Sequence, residues 1–255
     1  MENKGALCHS VSMDTAIERL RDTLQGAQHV AVLTGAGISA ESGVPTFRGK
    51  GGLWRSYRSQ DLATPEAFAA DPALVWEFYN WRRSLIAHVD CNPAHRALAQ
   101  LESQVPHFTL ISQNVDGLHL RAGSKNLLEI HGNIWKVRCT KCGSITVDYT
   151  PDLGTSPRCE RCAGLLRPHV VWFGESLDYD LLQSAFDASR TCDVMLVIGT
   201  SAVVQPSASF PVEAQSRGAL VAEINLEPTP LSSLADITIR GKAGDIVPRL
   251  AEYWS

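Results

Sequence analysis

No apolar run in these 255 residues reaches the roughly twenty residues that a membrane helix needs, so no membrane association is expected. A basic excess is missing as well: 23 lysines and arginines stand against 27 aspartates and glutamates, for a formal net charge of -4. That balance argues against nucleic acid as a partner, because such binders carry a basic patch or a high isoelectric point. An acidic ligand would have to be met by a local cation and not by the overall field. Residues 1–12 lack the apolar centre of a secretory signal and read as a short polar tail. A cytoplasmic protein is the simplest expectation, with most of the seven cysteines outside disulfides. Internal repeats and low-complexity tracts are absent. Glycine and proline, at 19 and 13, are too ordinary for collagen or wholesale disorder. What remains is a chain 44% hydrophobic, long enough for one substantial domain with a small inserted module. A monomer is a sufficient expectation.

The hydrophobic pattern alternates between two periods. From Asp14, the residues Ile17, Leu20 and Leu24 repeat at helical spacing. Residues 29–34 read as a buried strand that runs into Gly35-Ala36-Gly37, and a glycine-rich loop follows through Gly43, Pro45, Gly49, Gly51 and Gly52. Asp71-Pro72 opens a helix to about His88. Asn92 caps another, with Pro93 at its first position. Further strands are expected at 108–112, 127–130, 171–172, 194–198 and 219–224, with an edge strand at 236–239. Helices are expected near 181–189 and 246–253. Strands alternating with helices predict the α/β class and an open parallel sheet. Between Trp135 and about Val170, charge, glycine and cysteine pairs replace helical periodicity, as in an inserted metal module. The sheet domain is assigned 13–50, 92–133 and 171–255, a helical part of a smaller domain 51–91, and the metal module 134–170. Glycine, asparagine and small hydroxyl residues recur just past the strand ends, where open α/β sheets bind ligands.

Three motifs carry chemistry. Gly35-Ala36-Gly37-Ile38-Ser39-Ala40 fits G-x-G-x-x-G/A after a strand, where glycines allow a pyrophosphate close to the backbone and a helix start offers N–H donors. The dehydrogenase continuation is missing: no second strand with a ribose-binding carboxylate follows about 20 residues on. A lid over a nucleotide, carrying Phe47 and Arg48, fits the loop better than hydride transfer. Cys139-x2-Cys142 and Cys159-x2-Cys162, with sixteen residues between the pairs, predict a tetrahedral zinc. Four thiolates leave no position for water or substrate, so this zinc is structural. Finally, Gln113-Asn114-Val115-Asp116 crowds amide and carboxylate groups at one strand end, and His131-Gly132 closes the next. A capped turn would explain the first, yet imidazole is the side chain best suited to general base work near neutral pH.

Read together, residues 35–48, Gln113-Asn114-Val115-Asp116, His131-Gly132, the four cysteines, Gly199-Thr200-Ser201 and Asn225 resemble the sirtuin family, in its order, over roughly residues 28–251. The resemblance implies a Rossmann-like parallel sheet domain, a smaller zinc-ribbon plus helical domain, and a cleft between them where NAD meets an acyl-lysine peptide. It implies that Gly35, Ala36 and Gly37 pack near the diphosphate. Glu41, Thr46, Phe47, Arg48 and Trp54 fall in or beside the cofactor loop. Gln113, Asn114 and Asp116 hold ribose and nicotinamide, with Val115 beside them as a cofactor-binding position. Ser201, Asn225 and Ala243 face the adenosine side, with Gly199, Thr200, Leu226 and Glu227 as further cofactor-binding positions. Val170, Trp172, Phe173, Gly174 and Glu175 resemble the strip that pairs with the peptide backbone. The implied chemistry has the acyl oxygen attack the ribose carbon as nicotinamide leaves. His131, with Asn114, then activates a ribose hydroxyl that attacks the resulting imidate carbon, and water releases free lysine and O-acyl-ADP-ribose.

Thr46 stands where many sirtuins have aspartate, and Tyr79-Asn80-Trp81-Arg82 resembles the Tyr-x-x-Arg of the branch that prefers succinyl, malonyl and glutaryl lysine. The i, i+3 spacing puts Tyr79 and Arg82 on one helix face, where a guanidinium and a phenol can hold a carboxylate. Without the resemblance, Arg82 and Arg83 would read as a solvated helix face, with Tyr79 and Trp76 as core. The sequence leaves open a deacetylase without acidic preference, mono-ADP-ribosyl transfer, a silent binding module and a zinc-ribbon interaction protein. The presence of His131, Asn114 and Asp116 together speaks against the silent module.

Overall fold

The structure, a computed structural model, describes residues 12–46, 53–54 and 57–252. In chain order the elements are α1 (Met13–Gly26), β1 (His29–Thr34), α2 (Ala36–Ala40), the two-residue strands β2 (Leu53–Trp54) and β3 (Tyr57–Arg58), α3 (Ser59–Leu62), α4 (Pro65–Ala70), α5 (Pro72–Ala87) and α6 (Pro93–Glu102). Then come β4 (His107–Ser112), α7 (Leu118–Arg121), β5 (Leu127–Glu129), β6 (Gly132–Cys139), β7 (Ile145–Val147), β8 (Leu166–Val170), α8 (Tyr179–Thr191), β9 (Val194–Ile198), α9 (Phe210–Ser216), β10 (Leu220–Asn225), β11 (Ile237–Arg240) and α10 (Ala243–Ala251). No helix among the described residues is long and apolar enough to cross a membrane.

Local chemistry sets the helix starts. Ser12 accepts the Thr15 N–H, Asp71 accepts the Leu74 N–H, and Asn92 accepts from Ala94 and His95, with proline in the first turn of α5 and α6. Each cap satisfies donors that a helix start leaves without intrahelical partners.

Six parallel strands form the main sheet in the order β11-β10-β9-β1-β4-β5. Its central strands are apolar on both faces, as parallel strands covered by helices must be. Val30 and Val32 join one core with α1, α6 and α10, whereas Ala31 and Leu33 join the opposite core with α8 and α9. A third core holds Trp76, Phe78 and Ile86 of α5 against Ile134, Val137 and Trp172. This is the smaller domain, whose antiparallel sheet runs β7-β6-β8.

Residues 36–40 form a short helix, as the helix start after the glycine motif implied. Two expectations need correction. The strand expected at 171–172 is absent. The ladder lies at β8 and ends where Val170 pairs with Gly132, after which Val171 N–H donates to His131 O and Phe173 N–H to Ala63 O. Single bonds to two different elements keep that stretch extended but outside any sheet. The closing helix starts at Ala243, three residues earlier than expected.

Candidate active site

The chain leaves β1 to build β4 and β5 on one side, and β9 to build β10 and β11 on the other. At such a switch point the loops past the carboxyl ends diverge and leave a crevice. A cavity of about 1040 Å³ opens there, at the top of the range for small-molecule pockets. Gly35, Ala36 and Gly37 from β1 and Gly199, Thr200 and Ser201 from β9 line its floor. The glycines serve the packing of these two loops. A Cβ on Gly37 would stand 2.7 Å from the Gly199 backbone, one on Gly35 2.8 Å from Thr200, and Gly199 has a φ of 61°. Gly37 N–H already donates to Gly199 O at 2.7 Å and Ile38 N–H to Gly35 O, so two of the donors expected of a helix start are committed within the floor.

The polar wall comes from the end of β4. Gln113 Nε2 donates to Thr200 Oγ1 at 3.1 Å, tying β4 to β9. Both hydrogens of the Asn114 amide are engaged, by Gly35 O at 3.0 Å and Ser39 Oγ at 3.1 Å, leaving Oδ1 for an incoming donor. His131 Nδ1 lies 2.9 Å from the Gln113 carbonyl oxygen. That oxygen can only accept, so the proton sits on Nδ1 and Nε2 keeps its lone pair. Burial pushes the His131 pKa below its ordinary value, against the raising effect of the Gln113 bond. Behind this wall Ser39 Oγ meets His95 Nε2 at 3.3 Å, and Thr34 Oγ1 meets His119 Nε2 at 3.0 Å, with the two rings 4.8 Å apart. Burial holds His95 down at about 4 and His119 well below the usual range, so both are neutral packing groups.

The third wall belongs to the smaller domain. Tyr79, Val170, Trp172, Phe173, Gly174 and Glu175 all line the cavity. Glu175 is engaged by the two terminal Arg167 nitrogens at 2.6 and 2.8 Å and by the Trp172 N–H at 2.9 Å, so its carboxylate braces the strip. Arg82 and Arg83 are 4% and 0% exposed, which removes the solvated-face reading.

Some way off, the sulfurs of Cys139, Cys142, Cys159 and Cys162 lie within 4.8 Å of one another. The pairs Cys139–Cys162 and Cys142–Cys159 are 3.5 and 3.8 Å apart. Four Zn–S bonds of about 2.3 Å in a tetrahedron put sulfurs about 3.8 Å apart. The Lys141 and Cys142 N–H groups both point at Cys139 Sγ at 3.4 Å, as suits a thiolate. The donor set fits structural zinc.

A family model described as Sir2 family matches residues 35–206, well over half of the chain. The chain belongs to the Sir2 family. It is 53% identical over 226 residues to an NAD-dependent protein deacylase of Aquifex aeolicus, covering 88% of this chain and 95% of that one. It is 46% identical over 259 residues to the mitochondrial NAD-dependent protein deacylase sirtuin-5 of Danio rerio, covering 91% and 85%. A solved Sir2 homolog–NAD complex superposes with a TM-score of 0.88 at 47% identity, covering 93% of each chain.

Most of the expected residues meet in this Sir2 cleft. Besides those named, Thr46, Val115, Asn225 and Glu227 line it. Others do not reach it. Glu41 accepts the Gly244 N–H at 3.0 Å and ties α2 to α10; Ala243 is buried beneath, and Leu226 is exposed to solvent. Asp116 is buried beside the wall, accepting the Leu118 N–H, and burial raises its pKa. Arg82 sits one turn beyond Tyr79, off the lining. Phe47 and Arg48 lie outside the described residues, as does the Trp54 side chain. The sequence reading missed His95 and the lining at Val204-Gln205-Pro206 and Pro228-Thr229-Pro230. The turn after β10 was legible as proline-rich, but nothing local says that it folds over the cavity.

Proposed function

We propose that this Sir2-family chain is an NAD-dependent protein lysine deacylase that prefers acyl groups ending in a carboxylate: succinyl, malonyl and glutaryl. The cavity at the switch point, with Gln113, Asn114 and His131 on one wall and an extended strip on the other, suits a dinucleotide and a peptide side chain together. When bound, NAD supplies an activated ribose carbon from which nicotinamide departs. The protein's part is to bind, orient and move protons. The two glycine floors carry the diphosphate. Ser201, Asn225 and Glu227 take the adenosine end. Asn114 Oδ1 and the Gln113 amide orient the nicotinamide ribose. The backbone of Val170, Trp172, Phe173 and Gly174 holds the peptide. One observation carries the catalytic reading: the Gln113 carbonyl fixes the His131 tautomer, so Nε2 takes a ribose hydroxyl proton. The zinc module shapes the smaller domain and does no chemistry. The large domain comprises 13–50, 92–133 and 171–255, with 51–91 and 134–170 forming the smaller one.

The acyl preference rests on Tyr79 at the cavity wall and Arg82 behind it. Burial lowers the Arg82 pKa, and neighbouring Tyr79 and Asp116 act in the opposite sense. An acyl carboxylate seated at the guanidinium would add counter-charge where solvent is excluded. A hydrogen bond to a charged group contributes about 1.5–3 kcal/mol, roughly ten- to a hundredfold in selectivity. A deacetylase without this preference is the second reading, favoured by Arg82 standing off the lining. One peptide offered in succinyl, malonyl, glutaryl and acetyl forms with NAD separates them by kcat/KM. Arg82→Met is expected to cut desuccinylation at least tenfold more than deacetylation; equal losses would end the clamp reading.

A further inference from the structure

Trp172 was expected to serve the peptide strip, yet the residue is 2% exposed and its ring is held by two neighbours. The Arg167 guanidinium lies 3.4 Å from the ring centre, itself locked by the paired bonds to Glu175, and Phe68 packs at 5.1 Å between centroids. Such stacking fixes the direction of the indole N–H. That N–H donates to Tyr79 Oη at 2.9 Å.

A phenol oxygen has one proton to give and lone pairs to accept with. The indole hydrogen occupies one side of the Tyr79 oxygen and repels the phenol hydrogen from it. Among the described residues the phenol makes no other hydrogen bond, and Tyr79, 4% exposed, lines the cavity. Burial pushes its pKa up to about 12, so it keeps its proton at neutral pH. A buried O–H without an acceptor is costly, and the cavity is where an acceptor can enter.

We propose that Trp172 is the positioning residue for acyl selectivity: by donating to Tyr79 Oη, it turns the phenol O–H into the cavity, toward the carboxylate of an acidic acyl chain. This rests on the reading of Tyr79 and Arg82 as a carboxylate clamp. The line Glu175–Arg167–Trp172–Tyr79 then links the peptide strip to the acyl end, and Trp172 touches the acyl group only through Tyr79.

The readout is the ratio of kcat/KM for succinyl- over acetyl-lysine in the same peptide, which a merely structural defect would not move. Trp172→Phe keeps a ring against Arg167 and Phe68 but removes the N–H. It should lower the ratio about tenfold, the worth of one charged hydrogen bond. Tyr79→Phe should lower it equally, and the double variant no further, because the two act in series. Should Trp172→Phe not fold, 3-benzothienylalanine at position 172, which has the shape of tryptophan and no N–H, gives the same test. A ratio near one in the unaltered enzyme ends the clamp and this inference with it. A clear succinyl preference that survives loss of the indole N–H, or additive losses in the double variant, overturns the role of Trp172 alone.

Discussion

At the scale of single residues, the chemistry depends on where one proton resides. The Gln113 carbonyl holds it on His131 Nδ1, and burial keeps the ring neutral by moving its pKa below 6.5. The proposed base is therefore the neutral form. Activity should be flat through pH 7 and above, then fall as pH drops through a value under 6.5, where the ring charges and Nε2 is lost as an acceptor. An acid limb in kcat/KM above pH 6.5 would contradict this. His131→Ala should lower deacylation by about two to four orders of magnitude, the usual worth of a general base. Its circular dichroism and melting should remain those of the parent protein, since the side chain has one hydrogen bond to lose. A fully active His131→Ala enzyme would remove His131 from the mechanism.

Elements hold these residues through a few side chains that do two tasks at once. Asn92 is one. Its Oδ1 caps α6, accepting from Ala94 and His95, while its Nδ2 donates to Ile38 O at 2.6 Å and Ser42 Oγ at 3.1 Å. The cap thus fastens α6 to the turn that follows the glycine floor. Asn92→Ala should cost about 2 kcal/mol in chemical unfolding, the cap plus a buried carbonyl left without its donor. A loss under ~0.5 kcal/mol would mean that water replaces it. Signals of this local kind were legible in the sequence. Asn92-Pro93 and Asp71-Pro72 fix helix starts, continuous apolar runs mark buried strands, and the cysteine spacing identifies the metal set. What escaped was non-local. Residues 166–170 become a strand only because β6 is there to pair with them. Gly35 and Gly37 read as a phosphate turn, whereas their first constraint is the backbone of Gly199 and Thr200. Arg83 looked like a surface charge because its acceptors lie some fifty to seventy residues away.

For the whole molecule, that same arginine joins the metal module to the helix that carries Tyr79 and Arg82. Arg83 donates to the carbonyls of Ile134, Asp148 and Thr150, each reached at 2.6 Å, and lies 5.0 Å from the centre of the Trp135 ring. One turn back, Asn80 Nδ2 donates to Gly154 O and its Oδ1 accepts the Leu153 N–H, while Trp76 Nε1 donates to Leu166 O. Helix α5, which carries Tyr79 and Arg82, therefore rests on backbone that the cysteine cluster holds together. None of the four cysteines lines the cavity, yet zinc should be required for activity. Buried Arg83 makes the coupling strong, because a desolvated guanidinium that loses its acceptors is costly. Removing zinc with a chelator, or Cys159→Ala, should release one zinc per chain and abolish deacylation. Hydrogen exchange should then quicken in β6, β8 and α5. The central strands β1 and β9 should stay protected, since their cores are built from other helices. A zinc-free enzyme that still hydrolyses succinyl-lysine at the original rate would show that α5 stands without the module.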